Sequence, residues 1–302
     1  MKGEQLWDAI IIGGSYAGLA AGMALGRALR KVLIIDSGHP CNQQTPQSHN
    51  FLTQDGKTPA EIRDSARQQV RLYDTVRLLE GQVAAGQPTE EGFAVQLSSG
   101  AAFAAKKLVF ATGIKDLLPE IPGFAECWGI SVLHCPFCHG FEVRGQKTGI
   151  LANGAAGYEL ASLISNWTGE VTLYTNGPST LTPAQTANLL RHRIHVIEAG
   201  IAALEHQKGF IQNIHFTDGS RAPLRALYAR VPFAQHSPLP AALGCERTPE
   251  GYIRTDSAQR TTVPGVFACG DNAGPMRTLA NAVAQGTAAG MMMTKELIGE
   301  AF

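Results

Sequence analysis

Two runs of the order strand, glycine turn, helix, strand predict an α/β protein built from two Rossmann-like three-layer nucleotide-binding domains. The first run opens at Asp8 and the second at Thr148. The composition agrees. The 302 residues are 44% hydrophobic, enough for sizeable cores, and the 33 glycines cluster just after apolar runs, where tight strand-to-helix turns need them.

The first run is Asp8-Ala9-Ile10-Ile11-Ile12, an apolar stretch of strand length. Gly13-Gly14-Ser15-Tyr16-Ala17-Gly18 follows, then an Ala- and Leu-rich helix over 19–29 and a second strand, Val32-Leu33-Ile34-Ile35, ending in Asp36. Gly13 permits a tight turn, and Gly18 lets the helix pack close to the strand. The helix N-terminus offers free N–H groups and partial positive charge to a pyrophosphate. A carboxylate at Asp36 can accept hydrogen bonds from ribose hydroxyls. Ser15 stands where the motif usually has its middle glycine, so the match is imperfect. Two further strands end distinctively, Lys107-Leu108-Val109-Phe110 in Ala111-Thr112-Gly113 and Val266-Phe267-Ala268-Cys269 in Gly270-Asp271. A helix over 278–295 follows, with Ala282 near its start.

Charge and cysteine usage narrow the function. Lys and Arg balance Asp and Glu at a formal net charge of zero, which argues against a nucleic-acid partner. The most apolar stretch, 9–29, carries five glycines and Arg27 and reads as strand, turn and helix, not as a membrane span. With no signal peptide read ahead of it, the expected location is the cytoplasm. Of six cysteines, Cys135 and Cys138 stand in His134-Cys135-Pro136-Phe137-Cys138-His139. Three readings compete. A zinc site needs four ligands, and there is no second Cys-x-x-Cys, although His134 and His139 could complete one. A structural disulfide would close a tiny loop and remove little chain entropy. A redox dithiol at a helix N-terminus gains the acidity that makes a thiolate, and this reading is favoured, with no metal. Cys41, Cys127, Cys245 and Cys269 are isolated and read as small apolar residues.

On the turn 13–18, Asp36, the Ala-Thr-Gly strand and the Gly-Asp strand, the chain resembles the FAD-binding domain of pyridine nucleotide–disulfide oxidoreductases. The position of Cys135 and Cys138 narrows this to the low-molecular-weight thioredoxin reductases. The resemblance implies FAD as cofactor, held by Gly13, Ser15, Tyr16, Ala17, Gly18, Asp36, Asn50, Val83, Ala111, Thr112, Gly113, Gly270, Asp271 and Ala282, with Asp271 on the ribityl chain. It implies that Cys138 faces the flavin and Cys135 the partner disulfide. An Asp usually follows the second cysteine as acid–base; here His139 does, and its imidazole can carry the thiol proton. Glu142, one helical turn on, would orient that ring, and His134 is a further participant. The string Cys-Pro-Phe-Cys-His-Gly-Phe-Glu looks like the branch that includes FAD-dependent dithiol oxidases of disulfide natural products.

The second run, Thr148-Gly149-Ile150-Leu151-Ala152-Asn153-Gly154-Ala155-Ala156-Gly157 with a helix over 158–165 and a strand Val171-Thr172-Leu173-Tyr174, is where such reductases bind NADPH. Ala152 replaces the first glycine. NADPH-dependent relatives then place a His and several arginines after the strand. Here Thr175-Asn176-Gly177-Pro178-Ser179-Thr180 offers no cation to a 2′-phosphate and no acid to an NAD ribose. Arg191 and Arg193 come later, on what reads as another helix.

The expected organisation is a discontinuous FAD-binding domain, 1–114 and 236–302, with an NADPH-binding-like domain carrying the dithiol, 115–235, inserted into it. Prolines near both joints suit domain crossings. The expected function is FAD-dependent thiol–disulfide exchange with a thioredoxin-like protein or small dithiol/disulfide substrate, without NADPH. Oxygen would be the acceptor in an oxidase, ferredoxin or another donor the source in a reductase. The alternatives are an NADPH-dependent thioredoxin reductase and a non-catalytic flavin redox sensor. A homodimer is expected from the resemblance.

Overall fold

The computed structural model describes residues 6–302, so the first five positions of the expected first domain lie outside the described residues. The chain forms two compact units. One gathers the residues up to Gln43 with Asn50–Lys115 and Phe233–Phe302; the other gathers Gln44–His49 with Asp116–Pro232. The six residues Gln44–His49 fall in the second unit, although the sequence reading puts them in the first domain. Tertiary contacts decide this, beginning with Gln44 Nε2 donating to Trp128 O.

In chain order the first unit lays down β1 (Trp7–Ile12), α1 (Tyr16–Arg27), β2 (Val32–Asp36), α2 (Pro59–Val70) and β3 (Val76–Glu80). The hairpin-linked strands β4 (Val83–Thr89), β5 (Gly92–Leu97) and β6 (Ala102–Phe110) come next, and β7 (Ile114–Asp116) leads out. The second unit holds α3 (Phe124–Cys127), β8 (Val132–Leu133), α4 (Pro136–His139), β9 (Thr148–Leu151), α5 (Gly154–Ile164), β10 (Val171–Tyr174) and α6 (Pro183–Arg191). It continues with β11 (His195–Ile197), β12 (Ile201–Gln207), β13 (Phe210–Phe216), β14 (Arg221–Pro223) and β15 (Ala226–Ala229). The chain returns to the first unit with β16 (Phe233–Gln235), α7 (Leu239–Ala242), β17 (Val266–Ala268) and α8 (Leu279–Ala301).

The first unit's main sheet runs β3-β2-β1-β6-β5-β4, with β17 also paired to β6. Strands β3, β2, β1, β6 and β17 pair in parallel. Parallel strands covered on both faces read as unbroken apolar runs, and successive side chains serve opposite cores. Ala9, Ile11, Val32, Ile34, Val109 and Phe267 pack on the helix side. Ile10, Ile12, Leu33, Ile35, Leu108 and Phe110 pack on the other. Each fully buried Ile or Leu contributes roughly 2 kcal/mol. On the helix side α8 lies against α1 at backbone distance. A Cβ on Gly286 would stand 2.0 Å from Ala17 O, and one on Gly290 2.6 Å from Ala21 O. Beyond the expected end of the last helix, α8 continues to Ala301.

The second unit repeats the plan. Its five-stranded sheet, order β11-β10-β9-β15-β8, is parallel throughout. A separate antiparallel meander, β12-β13-β14, carries the chain to β15. Each unit thus combines parallel strands with an antiparallel meander, β4-β5-β6 in the first and β12-β13-β14 in the second.

Candidate active site

In the first unit the expected residues 13–18, Asp36, 111–113, Gly270 and Asp271 stand at or just past the C-terminal ends of β1, β2, β6 and β17, where open α/β sheets bind ligands. Gly13 has φ +106°, and a Cβ there would lie 2.2 Å from Ala111 O. A Cβ on Gly18 would lie 1.8 Å from Gly13 O, and one on Gly14 2.8 Å from the Asp36 Cβ. The turn is thus backbone packed on backbone. Ser15 occupies the N-cap of α1 without a side-chain capping bond. Every other described helix longer than four residues has such a cap. The N–H groups of the first turn of α1 are therefore left to a ligand. Tyr16 and Ala17 offer those N–H groups; the Tyr16 hydroxyl itself donates to Pro59 O at 3.0 Å.

Asp36 is partly engaged by the protein. Its Oδ1 accepts from Gly14 N at 3.1 Å and its Oδ2 pairs with Arg67 Nη2. A carboxylate has lone pairs to spare, so Asp36 can still take a ribose hydroxyl. Gly81 N donates to Asp36 O at 2.9 Å, which sets Val83, at the start of β4, beside the same strand end. Asn50 stands in the left-handed region at φ +59°, its N–H bonded to Asp55 Oδ1 at 2.7 Å. Thr112 and Gly113 lie just past β6, Gly270 and Asp271 just past β17, and Ala282 in the first turn of α8. Arg277 Nε is 3.7 Å from Asp271 Oδ2.

Two residues here were missed in the sequence. Gly14 carries the N–H that fixes Asp36. Asn272, fully buried, donates through Nδ2 to Phe110 O at 2.9 Å and Thr112 Oγ1 at 3.2 Å, tying the two strand ends together. Its place after the Gly-Asp pair was the available signal. The open helix end, the glycine cradle and a free edge of Asp36 together fit a dinucleotide such as FAD.

In the second unit Cys135 and Cys138 form a disulfide with Cα atoms 5.3 Å apart. Cys135 is the N-cap of α4 and Pro136 its first residue. The cysteine thus stands at a helix N-terminus as expected, although that helix has only four residues and its dipole is small. Two aromatic rings flank the pair and face outward. Phe137 is 62% exposed and Phe141 65%. Phe137 packs edge-on to Trp167 at 5.6 Å, and the Arg144 guanidinium lies 3.8 Å over the Phe141 ring. Gly140 is needed because a Cβ would strike Pro136 O at 2.5 Å and the Trp167 indole at 2.8 Å.

His139 follows Cys138 directly and is half-buried. Burial pushes its imidazole toward the neutral form, with Glu142 opposing this and His49 adding to it. Glu142 does not sit one helical turn beyond His139 as expected, because α4 ends at His139. Its carboxylate instead lies 3.6 Å from His49 Nε2, and the His49 ring stands edge-on to His139 at 6.3 Å. His49 gave no signal in the sequence, being far from the dithiol along the chain. His134 packs its ring 6.2 Å from Trp128, which stacks on Phe124. Among the described residues no group of three or more His, Cys, Asp or Glu is arranged to hold a metal ion. Cys127, Cys245 and Cys269 are buried, and burial pushes the Cys127 thiol up to about 11 and that of Cys269 to about 12. Cys41 departs from the expectation of a small apolar residue, since it is exposed.

The second glycine turn is closed by its own side chains. Asn153 is the N-cap of α5, and its Oδ1 accepts from Gly154 N at 2.8 Å, from Thr180 N at 2.8 Å and from Thr180 Oγ1 at 3.1 Å. Its Nδ2 donates to Pro178 O at 2.9 Å. The loop after β10 is thereby folded onto the helix end. The rest of that loop is also internally bonded, with Thr175 Oγ1 on Gly177 O at 2.6 Å and Asn176 Oδ1 on Ile201 N at 2.7 Å. Arg191 ends α6, where its Nη2 donates to Asn188 Oδ1 at 3.1 Å, and Arg193 lies beyond the helix.

A parallel-sheet unit with a dinucleotide turn and a second unit bearing an active-site disulfide define a flavoprotein disulfide oxidoreductase. The family model described as pyridine nucleotide-disulphide oxidoreductase matches residues 7–286, and the chain belongs to that family. It is similar to a protein named thioredoxin reductase tcpT from Claviceps purpurea, 35% identical over 314 residues, covering 99% of this chain and 97% of the other. Among solved structures it resembles HlmI at TM-score 0.93 and 31% identity, covering 100% of this chain and 95% of that one. An oxidoreductase from Agrobacterium tumefaciens matches at TM-score 0.92 and 36% identity, covering 98% and 99%. The chain is accordingly an FAD-dependent disulfide oxidoreductase of the low-molecular-weight thioredoxin reductase type. Among the described residues no helix is long and apolar enough to cross a membrane.

Proposed function

We propose that this chain exchanges electrons between FAD, the Cys135–Cys138 pair and a thioredoxin-like or small dithiol/disulfide partner without using NADPH. The observation that carries this reading is the capped turn at Asn153. A pyrophosphate needs the open N–H groups of a helix start, and at α5 the Gly154 N–H is already taken by Asn153 Oδ1, which also accepts from Thr180 N and so holds the following loop beside that helix end. The 2′-phosphate would meet a loop without a cation, losing its charge-assisted hydrogen bonds. The relatives named thioredoxin reductases supply the competing reading, an NADPH-fed enzyme.

FAD, when bound by residues 13–18, Asp36, Asn50, Val83, 111–113, Gly270, Asp271 and Ala282, supplies a two-electron acceptor or donor. The chain's own residues manage sulfurs and protons. A partner thiolate attacks Cys135 Sγ, the Cys135–Cys138 bond breaks, and Cys138 leaves as thiolate. The partner's second thiol then attacks the mixed disulfide, releasing oxidised partner and the Cys135 thiolate. His139 takes up the thiol proton that each attack requires. Bound FAD would accept the electron pair that the two thiols give up as the Cys135–Cys138 bond re-forms. Oxygen drains those electrons in the oxidase direction; ferredoxin or a similar donor supplies them in the reductase direction. The reading includes a cytoplasmic homodimer.

An anaerobic titration of the holoenzyme with NADPH, dithiothreitol and reduced ferredoxin, followed at the flavin absorbance, tests this. Bleaching by the dithiol within seconds, with none by NADPH at equal concentration, is expected. Rapid bleaching by NADPH would overturn the reading in favour of an ordinary NADPH-dependent reductase. Cys138→Ser is expected to abolish dithiol-driven bleaching, and unchanged bleaching would leave only a flavin-binding sensor.

A further inference from the structure

The segment Gln44–His49 is a six-residue excursion into the second unit. Both of its ends are anchored there. Gln44 Nε2 donates to Trp128 O, and Thr45 Oγ1 lies so close to Gly129 that a Cβ on that glycine would stand 3.0 Å from it. Ser48 is buried. The excursion delivers one imidazole to the dithiol centre, with His49 edge-on to His139 at 6.3 Å and 3.6 Å from the Glu142 carboxylate.

We infer that His49 is a proton-relay and positioning residue of the dithiol centre, linking His139 to Glu142 and through it to solvent. This rests on the thiol–disulfide exchange read above. His139 and His49 are both half-buried, and Glu142 is exposed, so the line ends at solvent. Oxidising one partner dithiol removes two electrons and two protons from its sulfurs, and each proton reaching His139 must leave before the next arrives. Imidazole does this well because it accepts at one nitrogen while donating from the other. Gaps of this size are ones that a bridging water can carry a proton across.

The other groups facing this cluster do not compete for the proton. Tyr228, on β15, is fully buried, and burial together with the Glu142 charge holds its phenol neutral. Arg144 is held on Phe141, stacked over its ring and donating to its carbonyl.

The test is the rate of flavin bleaching by dithiothreitol, measured anaerobically by stopped flow across pH in the holoenzyme, for wild type, His49→Gln, Glu142→Gln and the double variant. His49→Gln keeps the polar contact but cannot relay a proton. A fall of roughly tenfold is expected, within the range of positioned acid–base groups. Because His49 disfavours the protonated form of His139, its loss should also move the acid limb of the profile to higher pH. Glu142→Gln should be weaker, and the double variant no slower than His49→Gln, as for residues acting in one chain. Added imidazole should restore part of the rate in His49→Ala. A wild-type rate and pH profile in His49→Gln, or losses that simply add in the double variant, would overturn the relay while leaving dithiol exchange intact. A wild-type protein that the dithiol does not bleach would overturn the functional reading and this inference with it.

Discussion

The same chain carries two glycine turns of the same plan and leaves only one of them open. At α1 the N-cap Ser15 makes no side-chain bond to the helix, and the glycines around it bring backbone against backbone. At α5 the N-cap Asn153 fills the helix end and binds the loop at Pro178 and Thr180. A helix start has four orphan N–H groups, and each one that a protein side chain takes is withdrawn from a phosphate. The difference teaches that two turns of one plan can differ in whether a side chain takes the first helix N–H.

The sharpest way to break this comparison is to substitute equivalent glycines. Gly18→Ala places a methyl 1.8 Å from Gly13 O, whereas at Gly157 the nearest atom, in Ala152, is 3.2 Å away. The first should cost roughly 3 kcal/mol and yield flavin-poor protein, the second less than about 1 kcal/mol with flavin retained. Urea unfolding and the flavin-to-protein absorbance ratio measure both, and equal losses would erase the distinction. Asp36→Asn comes next. It weakens the bonds to Gly14 N–H and Arg67 and should lower flavin retention by about 2 kcal/mol, read by the dissociation constant for FAD.

Asn153→Ala is expected to have a smaller effect, about 1 kcal/mol of stability from the lost cap, with dithiol-driven bleaching unchanged. If it instead abolished bleaching, the second turn would be a working site. The smallest effect is acidic. Burial lowers the His139 pKa, so its neutral form contributes stability above its ordinary value that is lost as pH falls through the lowered one. His139→Gln should therefore flatten the acid limb of a Tm–pH curve below about pH 6.5. A limb of unchanged slope would assign the acid loss to other groups.

Much of this was legible from local pattern. The apolar runs 8–12, 32–35 and 107–110 became strands because their residues suit a sheet buried on both faces. The glycine turn, Asp36 and the Gly-Asp strand end announced a dinucleotide site, since the motif needs those residue types at that spacing. The missing cations after Tyr174 were visible for the same reason. One helix was extrapolated past its end: α4 stops at His139, and Glu142 lies beside His49 while its charge still acts on His139.

Sequence by itself determined the class of fold, the flavin turn and the redox cysteines, because each depends on residues close together in the chain. Only the tertiary structure decided that Asn153 and Thr180 close the second turn, that Asn272 joins two strand ends, and that His49 stands beside His139. The first two pairs are separated by 27 and 160 positions, and His49 and His139 are likewise far apart in the chain. Contacts across such separations are set by how whole elements pack, which no local period in the sequence encodes.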